Sequence, residues 1–411
     1  MTIRNLYPDT RPSLNLDFTN SKRLDPRITF TRMSIGTYTD ESGIIRTAAD
    51  NEARFDHDSD GNSLGLLIEE ARTNYIDQSV DLTATGTWFN SNFNAPILNA
   101  GVAPDGTNTA TSIVPNTSNV PRSFQCFNIA TGFSNYLTFT AFVKANGYSK
   151  FQLWIDGASA GGFFGGRATF DVSTGTVTQG QEGVGSIQEL PGGWYRCTIT
   201  HQNTTGGIIV TPSIIGLDDS GNSVFTGDGT SGYLVWGFQL EEGSFPTSYI
   251  PTAGSTLQRG ADIASMTGTN FSSWYNQSEG SWFVNYEATF GKEDTTVFTF
   301  NASNNNRIFS YTANNRVQFK YGGPTVNSNT ATTTNDYAKA VMFYESDGTF
   351  GGSFEGTAVV SAAGTPNTAT ELNLAPFPGA GGALQSSTSH ISRIAYYPVR
   401  LPDATLQALT L

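Results

Sequence analysis

Leu137-Thr-Phe-Thr-Ala-Phe-Val143 places Leu137, Phe139, Ala141 and Val143 on one side of an extended chain. Strict alternation of this kind marks a strand with one face in a core. Phe151-Gln-Leu-Trp-Ile155 alternates in the same way, and Ala168-Thr-Phe-Asp-Val172 and Val177 flank Ser173-Thr-Gly175, a hairpin turn signal. Trp194 to Ile199, Ile208 to Ile215 and Tyr233-Leu-Val-Trp-Gly-Phe-Gln-Leu240 continue the series. No helical periodicity intervenes, so the pattern predicts an antiparallel β-sandwich. After Phe245-Pro-Thr-Ser-Tyr-Ile-Pro-Thr-Ala-Gly254 a second run begins. Its strands are predicted at Ser281–Tyr286, Val297–Phe300, Arg307–Tyr311, Val317–Tyr321, Ala340–Tyr344 and Ile391–Tyr396. Turns are expected at Asn304–Asn306 and at Asn314-Asn315, and one short helix over Pro402–Leu409.

The chain has 411 residues and a formal net charge of −13, but only 14% of its residues are charged, against about 25% in an average soluble domain. With 44 glycines and 12% aromatics, this is neither a disordered composition nor one suited to nucleic acid, which requires clustered Lys and Arg. Charge is concentrated in residues 1–72, which hold 21 of the 57 charges and half of the 16 arginines. Together with Pro8, Pro12 and Pro26 this predicts an extended, charged arm ahead of two sandwiches. The fold class expected is therefore all-β. Cys126 and Cys197 sit on alternating apolar stretches and read as two buried thiols. Met1-Thr-Ile-Arg-Asn-Leu-Tyr-Pro-Asp9 lacks the apolar core of a secretory signal, and no apolar run nears the roughly 18 residues of a membrane span.

Few constellations suggest chemistry. Asp56-His-Asp-Ser-Asp-Gly61 opens like a calcium loop, making Asp56, Asp58 and Asp60 the candidate metal ligands and Ca²⁺ the one candidate cofactor, but Leu67 stands where the bidentate Glu belongs. Glu69-Glu70 and Glu241-Glu242 are adjacent, so on a strand the members of each pair point to opposite faces and neither pair flanks a glycosidic bond. His57, His201 and His390 show no zinc spacing, and no nucleophile elbow or phosphate loop occurs. Aromatic rings suggest more. Gly161-Gly-Phe-Phe-Gly-Gly166 turns one of Phe163 and Phe164 away from the core, and Trp88, Trp154 and Trp274 are further candidates for stacking on sugar rings, whereas Trp194 and Trp236 read as core.

Leu14-Asn-Leu-Asp-Phe18, Asp25-Pro-Arg-Ile-Thr-Phe-Thr-Arg32, Arg54-Phe-Asp-His-Asp58 and Leu64-Gly-Leu-Leu-Ile-Glu-Glu-Ala-Arg-Thr-Asn74 resemble the N-terminal module of tailed-bacteriophage virion proteins of the head-fibre, spike or tail-fibre type. Gly193-Trp-Tyr-Arg-Cys-Thr-Ile199 and Trp236-Gly-Phe-Gln-Leu-Glu-Glu-Gly-Ser-Phe-Pro-Thr-Ser-Tyr-Ile-Pro251 resemble the carbohydrate-binding-module-like jelly roll of the same proteins. His390 to Leu409 resembles the closing strand and helix of concanavalin-A-like, laminin-G-type lectin domains. The resemblance implies a charged docking arm over residues 1–75, a jelly roll over 76–254 and a lectin sandwich over 255–411. It further implies a non-enzymatic structural protein of a phage virion, assembled in the host cytoplasm. Arg4, Arg11, Arg23, Arg27 and Arg32 would dock the arm onto capsid or tail proteins, and the sandwiches would meet host-surface glycans. A homo-oligomer, by resemblance a trimer, is expected. The readings held against this one are a polysaccharide depolymerase on the same folds and an internal joining protein without a glycan role.

Overall fold

A computed structural model describes residues 10–84, 86–126, 129–131, 136–159, 162–180, 182–202, 208–287, 295–301, 307–311, 316–328, 337–365, 368–374 and 389–411. The turn expectations at Asn304–Asn306 and Asn314-Asn315 lie outside them. The chain is all-β, with two antiparallel sandwiches. In the first, a six-stranded sheet runs Val184–Leu190, Trp194–Gln202, Tyr136–Asn146, Gly232–Glu242, Ala110–Ile113, Ile97–Gly101. It faces a seven-stranded sheet in the order Thr176–Gln179, Gly162–Asp171, Lys150–Ser159, Ile208–Gly216, Ser123–Cys126, Trp88–Ser91, with Ile129–Thr131 also on Ile208–Gly216. The alternating residues meet between them: Leu137, Phe139, Val143, Phe151, Leu153, Ile155, Phe170, Ile214 and Phe238 are all fully buried. The predicted hairpin at Ser173–Gly175 joins two paired strands, with Gly175 at φ 65°. Cys126 and Cys197 are free thiols in this core, and burial raises both well above the ordinary thiol range.

The second sandwich corrects the expectation of an arm. Its larger sheet runs Val360–Ala363, Thr349–Phe354, Tyr337–Tyr344, Gly280–Glu287, Ser389–Tyr397, Ser63–Ile68, Arg54–His57, and Leu14–Asp17 also pairs with Ser389–Tyr397. The opposing sheet begins with Thr29–Thr31 on Ile263–Thr267. Residues 14–68 thus supply four strands to the fold of residues 263–397. The reason is ordinary burial: Leu14, Leu16, Phe18, Leu66 and Ile68 face the same core as Trp282, Phe298, Phe319, Tyr344 and Tyr396. The helix Asp403–Leu409 closes against the outer side of this sheet through Leu406 and Leu401.

The arginines of the N-terminal segment are spent inside the protein. Arg32, Arg54 and Arg259 have at most 1% of their surface exposed, and they surround the buried carboxylates of Glu69 and Asp262. Arg54 Nη1 donates to Glu69 Oε2 at 2.6 Å and Arg54 Nη2 to Asp262 Oδ2, while Arg32 Nη1 reaches Asp262 Oδ1 at 3.0 Å and Arg259 Nη1 reaches Glu69 Oε2 at 3.0 Å. Ser248 donates its N–H and hydroxyl to Glu69 at 2.7 and 2.6 Å. Burial opposes the charge on Glu69, but Arg259, Arg54 and Ser248 outweigh it and hold the carboxyl well below the usual range.

From this hub the bonding continues into the first sandwich. Arg259 also donates to Thr247 Oγ1 at 3.1 Å, Thr247 donates N–H and hydroxyl to Glu241 at 2.9 and 2.7 Å, and Gln239 donates to Glu241 at 2.9 Å. Beside it, Asn74 uses its whole amide: two carbonyls, of Phe238 and Ile250, accept from Nδ2, and the N–H groups of Ile76 and Leu240 donate to Oδ1. A hairpin of Gly36–Thr39 and Ile45–Ala48 crosses to the outer face of the six-stranded sheet. There Ile45 joins Phe142, Trp194, Trp236 and Tyr249 in a small second core, and Thr37 Oγ1 donates to the Tyr249 carbonyl at 2.6 Å.

A second ionic contact ties the N-terminal strands to the end of the chain. His390 Nε2 donates to Asp56 Oδ2 at 2.9 Å, and its Nδ1 donates to Glu287 Oε2. Burial lowers the basicity of the ring, yet the two carboxylates prevail and raise it to about 10. A raised value means that this contribution to stability is complete below the unfolded value of 6.5 and is lost as pH climbs through about 10. Two outcomes are expected. Glu69→Gln, which takes the paired carboxylate from Arg259 and leaves Arg54 with Asp262 alone, lowers the unfolding free energy in urea by about 3–5 kcal/mol, and a loss below about 1 kcal/mol contradicts the hub. His390→Gln is destabilised relative to the parent at pH 6, and the gap closes by pH 10.5. A gap independent of pH contradicts the imidazolium contact.

Candidate functional site

The outer face of the seven-stranded sheet in the first sandwich carries the surface best suited to recognition. Along Lys150–Ser159 the residues Phe151, Leu153 and Ile155 turn inward, so Gln152, Trp154 and Asp156 turn outward, half-buried. Register aligns Trp154 with Arg167 on one side and Ser213 on the other; Ser213 aligns with Gln125, and Gln125 with Phe89. One row of side chains therefore crosses five strands, and Trp154 and Phe89 stand three strand spacings apart, about 14 Å at roughly 4.8 Å each.

Local contacts fix the Trp154 end of the row. The Arg167 guanidinium lies 3.8 Å from the centre of the Trp154 ring, and Trp154 Nε1 donates to Gln152 Oε1 at 2.9 Å. Gln152 in turn donates to Thr169 Oγ1 at 2.9 Å, and Arg167 stands 3.7 Å from Asp156. Burial pushes the Asp156 carboxyl above its ordinary value, against the pull of Arg167. At the other end Phe89 is 47% exposed. With the Ser213 hydroxyl buried and donating to the Thr211 carbonyl at 3.3 Å, the row thus ends in two aromatic rings with the Gln125 amide between them. That is the surface a polyhydroxylated ring needs, because its C–H faces are apolar and its hydroxyls want neutral donors and acceptors.

Of the aromatic candidates, Trp154 is on this face. Phe163 and Phe164 pair by backbone with Ala158 and Gly157 on the neighbouring strand, and their side chains lie outside the described residues. Trp88 and Trp274 belong to the cores. Trp88 packs 4.9 Å from Phe238 and donates Nε1 to the Gln78 carbonyl, because it sits opposite Cys126 on the inward side of its strand. Its neighbour Phe89 is the ring that faces out. Trp274 is enclosed by Phe271, Trp282 and Tyr396 and donates Nε1 to Asn270 O at 2.7 Å. Trp194 and Trp236 are buried, as read from the sequence.

The remaining candidates fall elsewhere. Asp56 accepts from Thr39 N–H and His390, and Asp58 closes its own turn by accepting from Asp60 and Asn62, so these carboxylates do not converge with Asp60. Among the described residues no three His, Cys, Asp or Glu side chains are grouped to hold a metal. Of the expected docking arginines, Arg32 is enclosed in the hub and Arg27 is held in a two-point contact by Asp25, with bonds of 2.9 and 2.8 Å. Arg11 and Arg23 are exposed, and Arg4 lies outside the described residues. Glu69, Glu70 and Glu241 are buried in structural bonding rather than in a cleft. Gln125, Gln152, Arg167 and Phe89 were not singled out in the sequence; alternation from the inward residues Cys126, Leu153, Ala168 and Trp88 places each of them outside.

No family model matches the sequence, and no curated protein matches it. Among solved structures, the CBM40 module of the Ruminococcus gnavus IT-sialidase, bound to α2,3-sialyllactose, is 14% identical over 34% of this chain and 86% of that one, with a TM-score of 0.28. The CBM22-1–GH10 modules of Clostridium thermocellum xylanase 10B are 14% identical over 44% of this chain and 30% of that one, with a TM-score of 0.26. Trypanosoma rangeli sialidase is 10% identical over 73% of this chain, which spans 60% of the sialidase's length, with a TM-score of 0.27. At such distances these likenesses carry no argument about what this chain does.

Proposed function

We propose that this protein is a non-enzymatic glycan-binding structural component of a phage virion, and that its recognition surface is the outer sheet face of the first sandwich. The observation that carries the glycan reading is the pair of outward rings Trp154 and Phe89 on one register row, with the uncharged Gln125 amide between them. The composition supports it, since residues 73–411 hold only 36 of the 57 charges, and a neutral surface suits neutral hydroxyls. The virion setting rests on the sequence resemblance of the N-terminal and jelly-roll segments. A trimer or other homo-oligomer would multiply a weak contact into avidity. The non-enzymatic part is supported by the engagement of Glu69, Glu70 and Glu241 in buried bonding, which leaves these carboxylates no route to a scissile bond.

Affinity electrophoresis against host-surface polysaccharides tests this reading. Trp154→Ala and Phe89→Ala are expected to weaken retardation at least tenfold each, roughly 1.4 kcal/mol, with thermal midpoints unchanged. Trp88→Ala, by contrast, lowers stability by about 3–5 kcal/mol. Retardation that survives both outward substitutions removes the face from the account. Shortened polysaccharide chains after incubation remove the non-enzymatic part and favour a depolymerase.

A further inference from the structure

Between the hairpin of Gly36–Thr39 and Ile45–Ala48 and the outer face of the six-stranded sheet lies a cleft of about 410 Å³. That is within the usual range of small-molecule sites, about 300–1,000 Å³. It is on the opposite sheet from the Trp154 row. Trp236 and Tyr249, with ring centres 4.4 Å apart, form its floor. Their polar atoms are already bonded, Trp236 Nε1 to Thr109 at 3.1 Å and the Tyr249 hydroxyl to Ser79 at 2.6 Å, so the floor shows a ligand only apolar surface. Ile45 and Leu98 extend that surface up the walls, while Thr47, Gln78 and Asn99 supply neutral polar groups.

The charge of the cleft is one-sided. Asp81 and Asp105 both line it, and among the described residues none of its lining is Lys, Arg or His. Each aspartate uses Oδ1 to close its own turn: Asp81 accepts from the N–H and hydroxyl of Thr83 at 2.8 and 2.5 Å, Asp105 from those of Thr107 at 2.9 and 2.6 Å. No described residue donates to Oδ2 of either. The turns hold both carboxylates in place without neutralising them.

We propose that this cleft binds a sugar carrying a free ammonium group, an unacetylated amino sugar within the host glycan. The ring's C–H face fits the apolar walls, its hydroxyls fit the amide and threonine groups, and the ammonium fits two carboxylates that have no cation of their own. An N-acetylated sugar brings no charge for them. This specifies the glycan reading above and rests on it, but it uses different residues.

Titration calorimetry at physiological salt, with a glucosamine tetrasaccharide and its fully N-acetylated counterpart, tests it. The free amine form is expected to bind at least tenfold more tightly. Asp81→Asn and Asp105→Asn each lose at least fivefold, as does Thr47→Trp, which fills the cleft and leaves both aspartate turns intact. Glu189→Gln, on an exposed strand elsewhere, and Trp154→Ala retain this binding, which separates the cleft from general attraction to an acidic protein and from the sheet face. Equal or tighter binding of the acetylated form overturns the proposal. So does amine binding that Trp154→Ala abolishes and the cleft variants spare, a result that keeps the glycan reading. Absence of binding by either tetrasaccharide to a protein that still retards host polysaccharide overturns the cleft alone, and absence of all glycan binding overturns both.

Discussion

Two carboxylates, Glu69 and Asp262, are buried between the sandwiches, and the surrounding architecture follows from the need to neutralise them. Removing charges from water costs several kcal/mol each unless partners and hydrogen bonds replace the solvent. Here the partners come from distant parts of the chain: Arg32 and Arg54 from the N-terminal segment, Arg259 and Ser248 from the connection between the sandwiches. The charges are therefore satisfied only when all of these segments are in place. Apolar burial at Leu14, Leu66 and Ile68 supplies the driving force for docking the N-terminal strands. The ionic hub, with Thr247 and Glu241 beyond it, gives that docking a single geometry and carries it to the first sandwich.

Much of the fold was legible in alternation. The strands around Leu137, Phe151 and Tyr233, the buried thiols and the closing helix follow from local period and burial tendency, which need no knowledge of partners. The N-terminal segment hides its strands for a physical reason. Its strands are three to six residues long, interrupted by proline and charge, and a short strand shows its nature only against the neighbour that pairs with it. Leu14-Asn-Leu-Asp-Phe18 alternates as plainly as the later strands, but its partner, Ser389–Tyr397, is nearly 400 residues away. High charge density suggested exposure, whereas Arg32 and Arg54 are among the most buried side chains of the molecule.

The candidate site shows the same division. Trp154 was identified because large rings are conspicuous, but a tryptophan's size does not say which way it points. Trp88 points inward because its strand places Trp88 opposite the buried Cys126, and the less conspicuous Phe89 is the exposed ring. Arg167, Gln125 and Ser213 became part of one row only once register had aligned five strands. The charge asymmetry of the chain acquires a structural meaning from this. Charged residues concentrate where segments are fastened together, and on the outer sheet face Arg167 and Asp156 stand beside neutral groups and rings.

Hydrogen–deuterium exchange on the full chain compares the N-terminal strands directly with the sheet they complete. Amides of Leu14–Asp17, Arg54–His57 and Ser63–Ile68 are expected to exchange as slowly as those of Ser389–Tyr397. Exchange of these segments at the rate of an unfolded chain, while Ser389–Tyr397 stays protected, would contradict their place in that sheet.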